Sequence, residues 1–230
     1  MHYNREIINY LQSNNILASK LDHALIGVSH AVANQLNIIE AGAQRALYYS
    51  SCLTQDYQDV CQKQKKEDIR FVKGVNRILS HGDTIAEMLK IYFELIFRHR
   101  NNSQIDRIKK MLMAVNIHIA ASNLTQHGFA LAVTASVAAG MNLSIDMSIL
   151  IGRRAGTAFA IPAMYGVVQK AADCANRLNY ILPEYYAALY ANELEMMYFL
   201  IDPLFDRSGA LGNPRPSDNE ISSIIAKMIR

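Results

Sequence analysis

The side chains that could do chemistry in this chain are a handful of histidines, cysteines and carboxylates. His23 and His30 are seven residues apart, which places both on one side of a helix. A metal centre needs several ligands converging on one point. No acidic residue stands at ligand spacing from either histidine, and HExxH and ExxH are absent. His118 and His127 fall in an apolar stretch, residues 104–127, that reads as one helix. There they are expected as satisfied core or interface groups. His81-Gly82-Asp83 reads as a turn and an N-cap. Cys52, Cys61 and Cys174 have neither CxxC spacing nor a neighbouring base, a pattern that suits free thiols in a reducing compartment.

Acidic pairs such as Glu193 with Glu195, or Asp56 with Asp59, are the kind common on solvated helices, and no acid–base role is expected of them. The phosphate-loop patterns GxxxxGK[ST] and GxGxxG and the nucleophile motif GxSxG are all missing. The expectation is therefore a non-enzymatic protein without cofactor or metal.

Charge is distributed unevenly. Residues 61–110 hold twelve Lys or Arg against six Asp or Glu, whereas residues 181–230 hold four against seven. Lys63, Lys65, Lys66, Arg70, Lys73 and Arg77 can share part of one helix surface, as phosphate binding would require. Glu67 and Asp68 interrupt that run, and a net charge of +3 is small, so nucleic acid is not the favoured partner. The acidic third is the better candidate surface. Glu184, Tyr185, Tyr186, Tyr190, Glu193, Glu195, Asp202 and Asp206 combine tyrosine anchors with carboxylates that would steer a basic protein partner.

The elements that must position these groups are helical. Apolar residues recur at steps of three or four nearly throughout, and no alternating strand pattern is found. Thr84 with Glu87, Ser103 with Asp106, and Ser217 with Glu220 read as capping boxes. Gly128 reads as a C-cap, and Pro183 as a first-turn proline opening a helix that runs on to Ile201. Asp202-Pro203 reads as that helix's end, and SGALGNPRPSDN, residues 208–219, as the one loop-like stretch of any length. The fold class is all-α: a compact bundle of about nine or ten helices in a single domain, 1–230. Lobes at 1–110 and 111–207, followed by a loop and short helix at 208–230, are an alternative division.

Residues 128–168 are rich in Ala, Gly and Ser, with small residues at Ala132, Ser136 and Gly140 and again at Ser148, Gly152 and Gly156. Such rows pack transmembrane helices. They also suit a helix pair at 129–161 buried among others in a water-soluble fold, or a homodimer interface. Arg153 and Arg154 would each cost roughly 2.5–3.5 kcal/mol at a bilayer centre, with Asp146 adding a similar amount. Stable membrane insertion is therefore not favoured. The N-terminal MHYNREIINYLQSNN has Arg5, Glu6 and Asn9 where a secretory signal needs an apolar run, so cytoplasmic residence is expected.

Together these readings point to a helical protein-binding module. Its most concrete form is a stoichiometric inhibitor or immunity-type protein neutralising a toxic enzyme such as a basic nuclease. The alternatives are a membrane-inserting, pore-forming toxin or effector built on 128–168, and an enzyme with dispersed catalytic residues.

Overall fold

The computed structural model describes residues 45, 52, 58–80, 83–119, 125–141 and 160–230. His23, His30, His81, Asp56, the 1–44 stretch, and Asp146, Arg153 and Arg154 with the second half of the small-residue pair lie outside them. The described elements are helical throughout, and the architecture is all-α. In chain order they are α1 (Gln58–Ser80), α2 (Thr84–Phe97), α3 (Asn102–Ala114), α4 (Gln126–Gly140), α5 (Ala160–Ile181), α6 (Pro183–Ala191), a tight 3₁₀ segment (Glu195–Leu200), α7 (Asp202–Ser208) and α8 (Asp218–Ile229).

Local chemistry explains most of the boundaries. Ser217 accepts from the Glu220 N–H while the Glu220 carboxylate accepts from the Ser217 N–H, closing the expected capping box on α8. The α3 box is formed two residues earlier than expected, by Asn101 and Gln104 instead of Ser103 and Asp106. At α2, Asp83 is the N-cap residue and its side chain makes no capping bond, so the Thr84–Glu87 box is not formed. Gly128 is no C-cap: its N–H donates to the Thr125 hydroxyl in the first turn of α4. Consequently the 104–127 stretch is not one helix: α3 ends at Ala114, residues 115–119 are non-helical, α4 begins at Gln126, and both His118 and His127 are exposed.

Two helices end on a non-glycine residue in the left-handed region. Asn116 (φ 62°) closes α3, with the Ile117 N–H donating to Leu112 O. Glu193 (φ 57°) closes α6, with the Leu194 N–H donating to Leu189 O and its own N–H to Tyr190 O. That closure breaks the helix expected to continue to Ile201. Asp202-Pro203 starts α7 instead of ending its predecessor, because proline is tolerated in a first helical turn.

One contiguous apolar core runs through the described residues from Phe71 to Met228, crossing residue 110 without interruption. At its centre Tyr92 of α2 meets the Phe205 ring edge-on at 4.7 Å, and Phe205 stacks on Tyr185 at 5.6 Å. On the other side of α2, Phe97 packs edge-on against Phe129 of α4 at 5.2 Å. The buried face of α4 is Phe129, Ala130, Val133, Thr134, Ala135 and Val137. Ala132 and Ser136, from the small-residue row, are only half-buried. Gly140 does serve close approach: a Cβ there would stand 2.7 Å from the backbone oxygen of Ile229 in α8. No helix among the described residues is long and apolar enough to cross a membrane.

Cys52 and Cys61 form a disulfide, which corrects the expectation of three free thiols. Their separation of nine residues gave no motif, and only the start of α1 brings them together. The remaining thiol, Cys174, is half-buried on α5, and burial together with Asp202 pushes it up to about 12. It is protonated at neutral pH and a poor nucleophile.

Two outcomes follow. A thiol titration of the denatured chain without reductant should yield one free thiol, and three after reduction; two or more without reductant would contradict the disulfide. Gly140→Ala should cost about 1–3 kcal/mol, because the new methyl meets backbone that cannot swing aside. A lowered urea midpoint at unchanged slope reads that cost.

Candidate interaction face

The eight residues singled out from the acidic third do not form one surface. Tyr185 is buried, and its hydroxyl donates to Met88 O at 2.9 Å. Glu195 is also buried, at 2% exposure. Neither can be presented to a partner, and this corrects the reading of both as surface groups. The reason is the break at Glu193. It turns Glu195 off the helix on which it would have been solvated and directs it at α1.

There it meets the basic stretch. Arg70 Nε donates to Glu195 Oε1, and Nη2 donates to Glu195 Oε2 at 2.7 Å. The same Nη2 reaches Tyr190 O at 2.7 Å, and the guanidinium carbon sits 3.6 Å from the Tyr190 ring centroid. Lys66 approaches the same ring at 5.3 Å. Tyr186, half-buried, tilts against Tyr190 at 5.8 Å. One and two turns further along α1, Lys73 Nζ donates to Glu193 Oε1 at 2.6 Å and Arg77 Nη1 to Asn192 O at 2.7 Å. Arg70 and Arg77 thus bond backbone carbonyls at the negative end of α6. The Lys73 bond holds the Glu193 carboxyl below its ordinary range. Glu195, through its hydrogen bond, lifts the already high pKa of Arg70 further.

The rest of the acidic set is neutralised on α5. Arg177 bonds Asp202, and Asp206 at 3.1 Å, and those hydrogen bonds raise its pKa further. Cys174 Sγ donates to the other Asp202 oxygen at 3.5 Å. Only Glu184, exposed at the start of α6, keeps a carboxylate with no ion pair among the described residues. The two surfaces of opposite sign read from the sequence thus meet in part, through Arg70 on Glu195, Lys73 on Glu193, and Arg100 and Arg107 on Asp218. A helix-by-helix charge count cannot register those pairs, because they lie more than a hundred residues apart in sequence.

Beside Glu184 opens a feature that sequence reasoning missed. A cavity of about 700 Å³ lies between the C-terminal end of α2, the start of α6 and the loop at 214–216. Leu95, Ile96, Leu182 and Pro183 give it apolar walls, and Pro214 and Pro216 close one side. The Tyr92 and Tyr185 hydroxyls, whose rings also line it, are bonded to Ala210 O and Met88 O. At the rim, Arg100 pairs with Asp218 at 3.2 Å and donates to Pro216 O, which ties the loop to the end of α2. His99 and Arg215 are exposed and carry no ion pair among the described residues. Nothing linear announces this groove, since three distant segments build it. Its one sequence trace is the GNPRPS stretch, read simply as a loop.

Among the described residues no group of three or more His, Cys, Asp or Glu side chains could hold a metal ion. Fold and site together define an all-α helical bundle with a preformed surface groove. No family model, curated protein or solved structure matches the chain.

The Arg70–Glu195 pair sets a measurable balance. Arg70→Met should destabilise by about 3–5 kcal/mol, because it strands a carboxylate that is 2% exposed. The double variant Arg70→Met/Glu195→Leu should recover most of that loss in the same urea titration. A double variant no more stable than the single one would show that the carboxylate is not the source of the cost.

Proposed function

We propose that this protein is a non-enzymatic, helical protein-binding module that acts as a stoichiometric inhibitor of a protein partner. The observation that carries this reading is the open groove beside Glu184, about 700 Å³ in size and built on rigid elements. Its volume lies in the range of functional ligand sites, and its lining combines apolar walls from Leu95, Ile96, Leu182 and Pro183 with polar and charged groups at the rim. Pre-organisation adds support. The wall loop is fastened by Arg100 to Pro216 O and Asp218, and by the Ser217–Glu220 box. A partner would spend little ordering it.

The partner face in this reading moves from the eight-residue acidic set to the groove at that set's edge. Of the original residues, Glu184 stays on the contact face. Glu193, Glu195, Asp202 and Asp206 serve the fold through their pairing with Lys73, Arg70 and Arg177.

The test is affinity purification of tagged protein from its native host, followed by light scattering of the recovered complex. A one-to-one complex is expected. The double variant Arg215→Glu/Glu184→Lys, at two exposed rim positions, should lose the partner while its helical circular dichroism stays intact. Lys65→Glu, exposed on α1, should retain it. Equal recovery by wild type and the rim variant would refute the groove as the contact face.

A further inference from the structure

The groove also states what kind of segment fills it, an inference that rests on the reading just given. We infer that its occupant is an acidic peptide segment of a protein partner, with apolar side chains on the Leu95–Ile96 wall and a carboxylate between His99 and Arg215. This reverses the sign of partner expected from the composition of the acidic third.

Charge accounting around the rim gives the sign. Arg100 is consumed by Asp218 and Pro216 O, so it offers little net field. Arg215 is exposed and unpaired among the described residues, as is Arg98 just before His99. Against these stand the free carboxylate of Glu184, on the α6 side of the opening, and that of Glu220 behind the loop, which accepts from Ser217 N–H and the Asn213 amide but has no ion pair among the described residues. The edge that carries Arg215, with Arg98 beside it, is thus electropositive. The carboxylates that could have attracted a basic partner lie elsewhere and are already paired. A basic segment entering here would face Arg215, with Arg98 beside it, and gain the one carboxylate that lines the groove, Glu184.

The walls speak for a peptide. The buried phenol hydroxyls lining the groove are already bonded to backbone, so the floor holds no polar side chain waiting for one defined hydrogen-bonding ligand. Recognition there must come from apolar burial with charge at the edge, the arrangement of an anchored segment under a polar rim.

The experiment is fluorescence polarisation of purified wild-type protein with three pools of labelled synthetic nonapeptides. All share a randomised centre of Leu, Ile, Phe and Tyr; the flanks are Asp/Glu, Ser/Asn or Lys/Arg. The acidic pool should bind about ten-fold tighter than the basic pool, with the margin shrinking as salt is raised. Arg215→Glu should weaken the acidic pool about five-fold or more, and its unchanged circular dichroism would exclude misfolding. Equal binding of all pools would overturn the acidic occupant while leaving the groove as a peptide site. An acidic preference untouched by Arg215→Glu would place that preference elsewhere on the surface and overturn the inference. No binding of any pool at about 1 mM would overturn it too, and the native-host capture then decides separately whether the protein binds a partner at all.

Discussion

The arrangement of the C-terminal half depends on one constraint: Glu195 is a carboxylate almost fully withdrawn from water. An isolated charge in that position would cost several kcal/mol, so the fold exists in this form only while a cation is held against it. Arg70 supplies that cation. Because its guanidinium also bonds Tyr190 O and covers the Tyr190 ring, one side chain fixes the angle at which α1 crosses the end of α6. Lys73 and Arg77, one and two turns along, continue the same line. The rungs differ in weight. The Lys73–Glu193 pair is solvated and adds little, whereas the Arg70–Glu195 pair is the one whose disruption leaves a stranded charge. Buried Arg45 does similar work at the other side of α1, bonding Asp68 and Glu67 and reaching Gln169 of α5.

This line of pairs changes what the electrostatics of the chain mean. A basic middle and an acidic tail suggest two docking surfaces and a strong dipole. Folded, part of each half is neutralised at short range, by Arg70 and Lys73 on Glu195 and Glu193 and by Arg100 and Arg107 on Asp218. Charges without an ion pair among the described residues remain at several exposed positions, Lys65 on α1 and Arg98, Glu184 and Arg215 near the groove among them. The same logic separates tyrosines. Tyr185 is a core group with its hydroxyl bonded to Met88 O, and Tyr190 is half a cation–π sandwich. Composition lists them together as interface-type residues, while the fold gives each a structural task.

Legibility from sequence follows the range of the interaction involved. All-α character, the Ser217–Glu220 box and the Pro183 start were readable because each is decided within a few residues. The α3 start was missed by two residues because Asn101–Gln104 and Ser103–Asp106 both have the spacing of a capping box. The break at Glu193 was not readable. A glutamate in the left-handed region defies local preference and goes with the α6 closure, in which the Leu194 N–H donates to Leu189 O and the Glu193 N–H to Tyr190 O. The disulfide was missed for a related reason: Cys52 and Cys61 carry no spacing motif, and α1 alone defines their approach.

The groove shows where this limit becomes functional. Its walls come from residues 92–100, 182–185 and 214–216, and no two of these segments are neighbours in sequence. They are brought together by the aromatic cluster of Tyr92, Tyr185 and Phe205 behind them and by Arg100 holding Pro216 in front. Both devices also satisfy polar groups that would otherwise remain open: the two phenol hydroxyls and the Arg100 guanidinium. What they leave is a groove with apolar walls from Leu95, Ile96, Leu182 and Pro183 and a rim on which Arg215 and Glu184 carry no ion pair among the described residues.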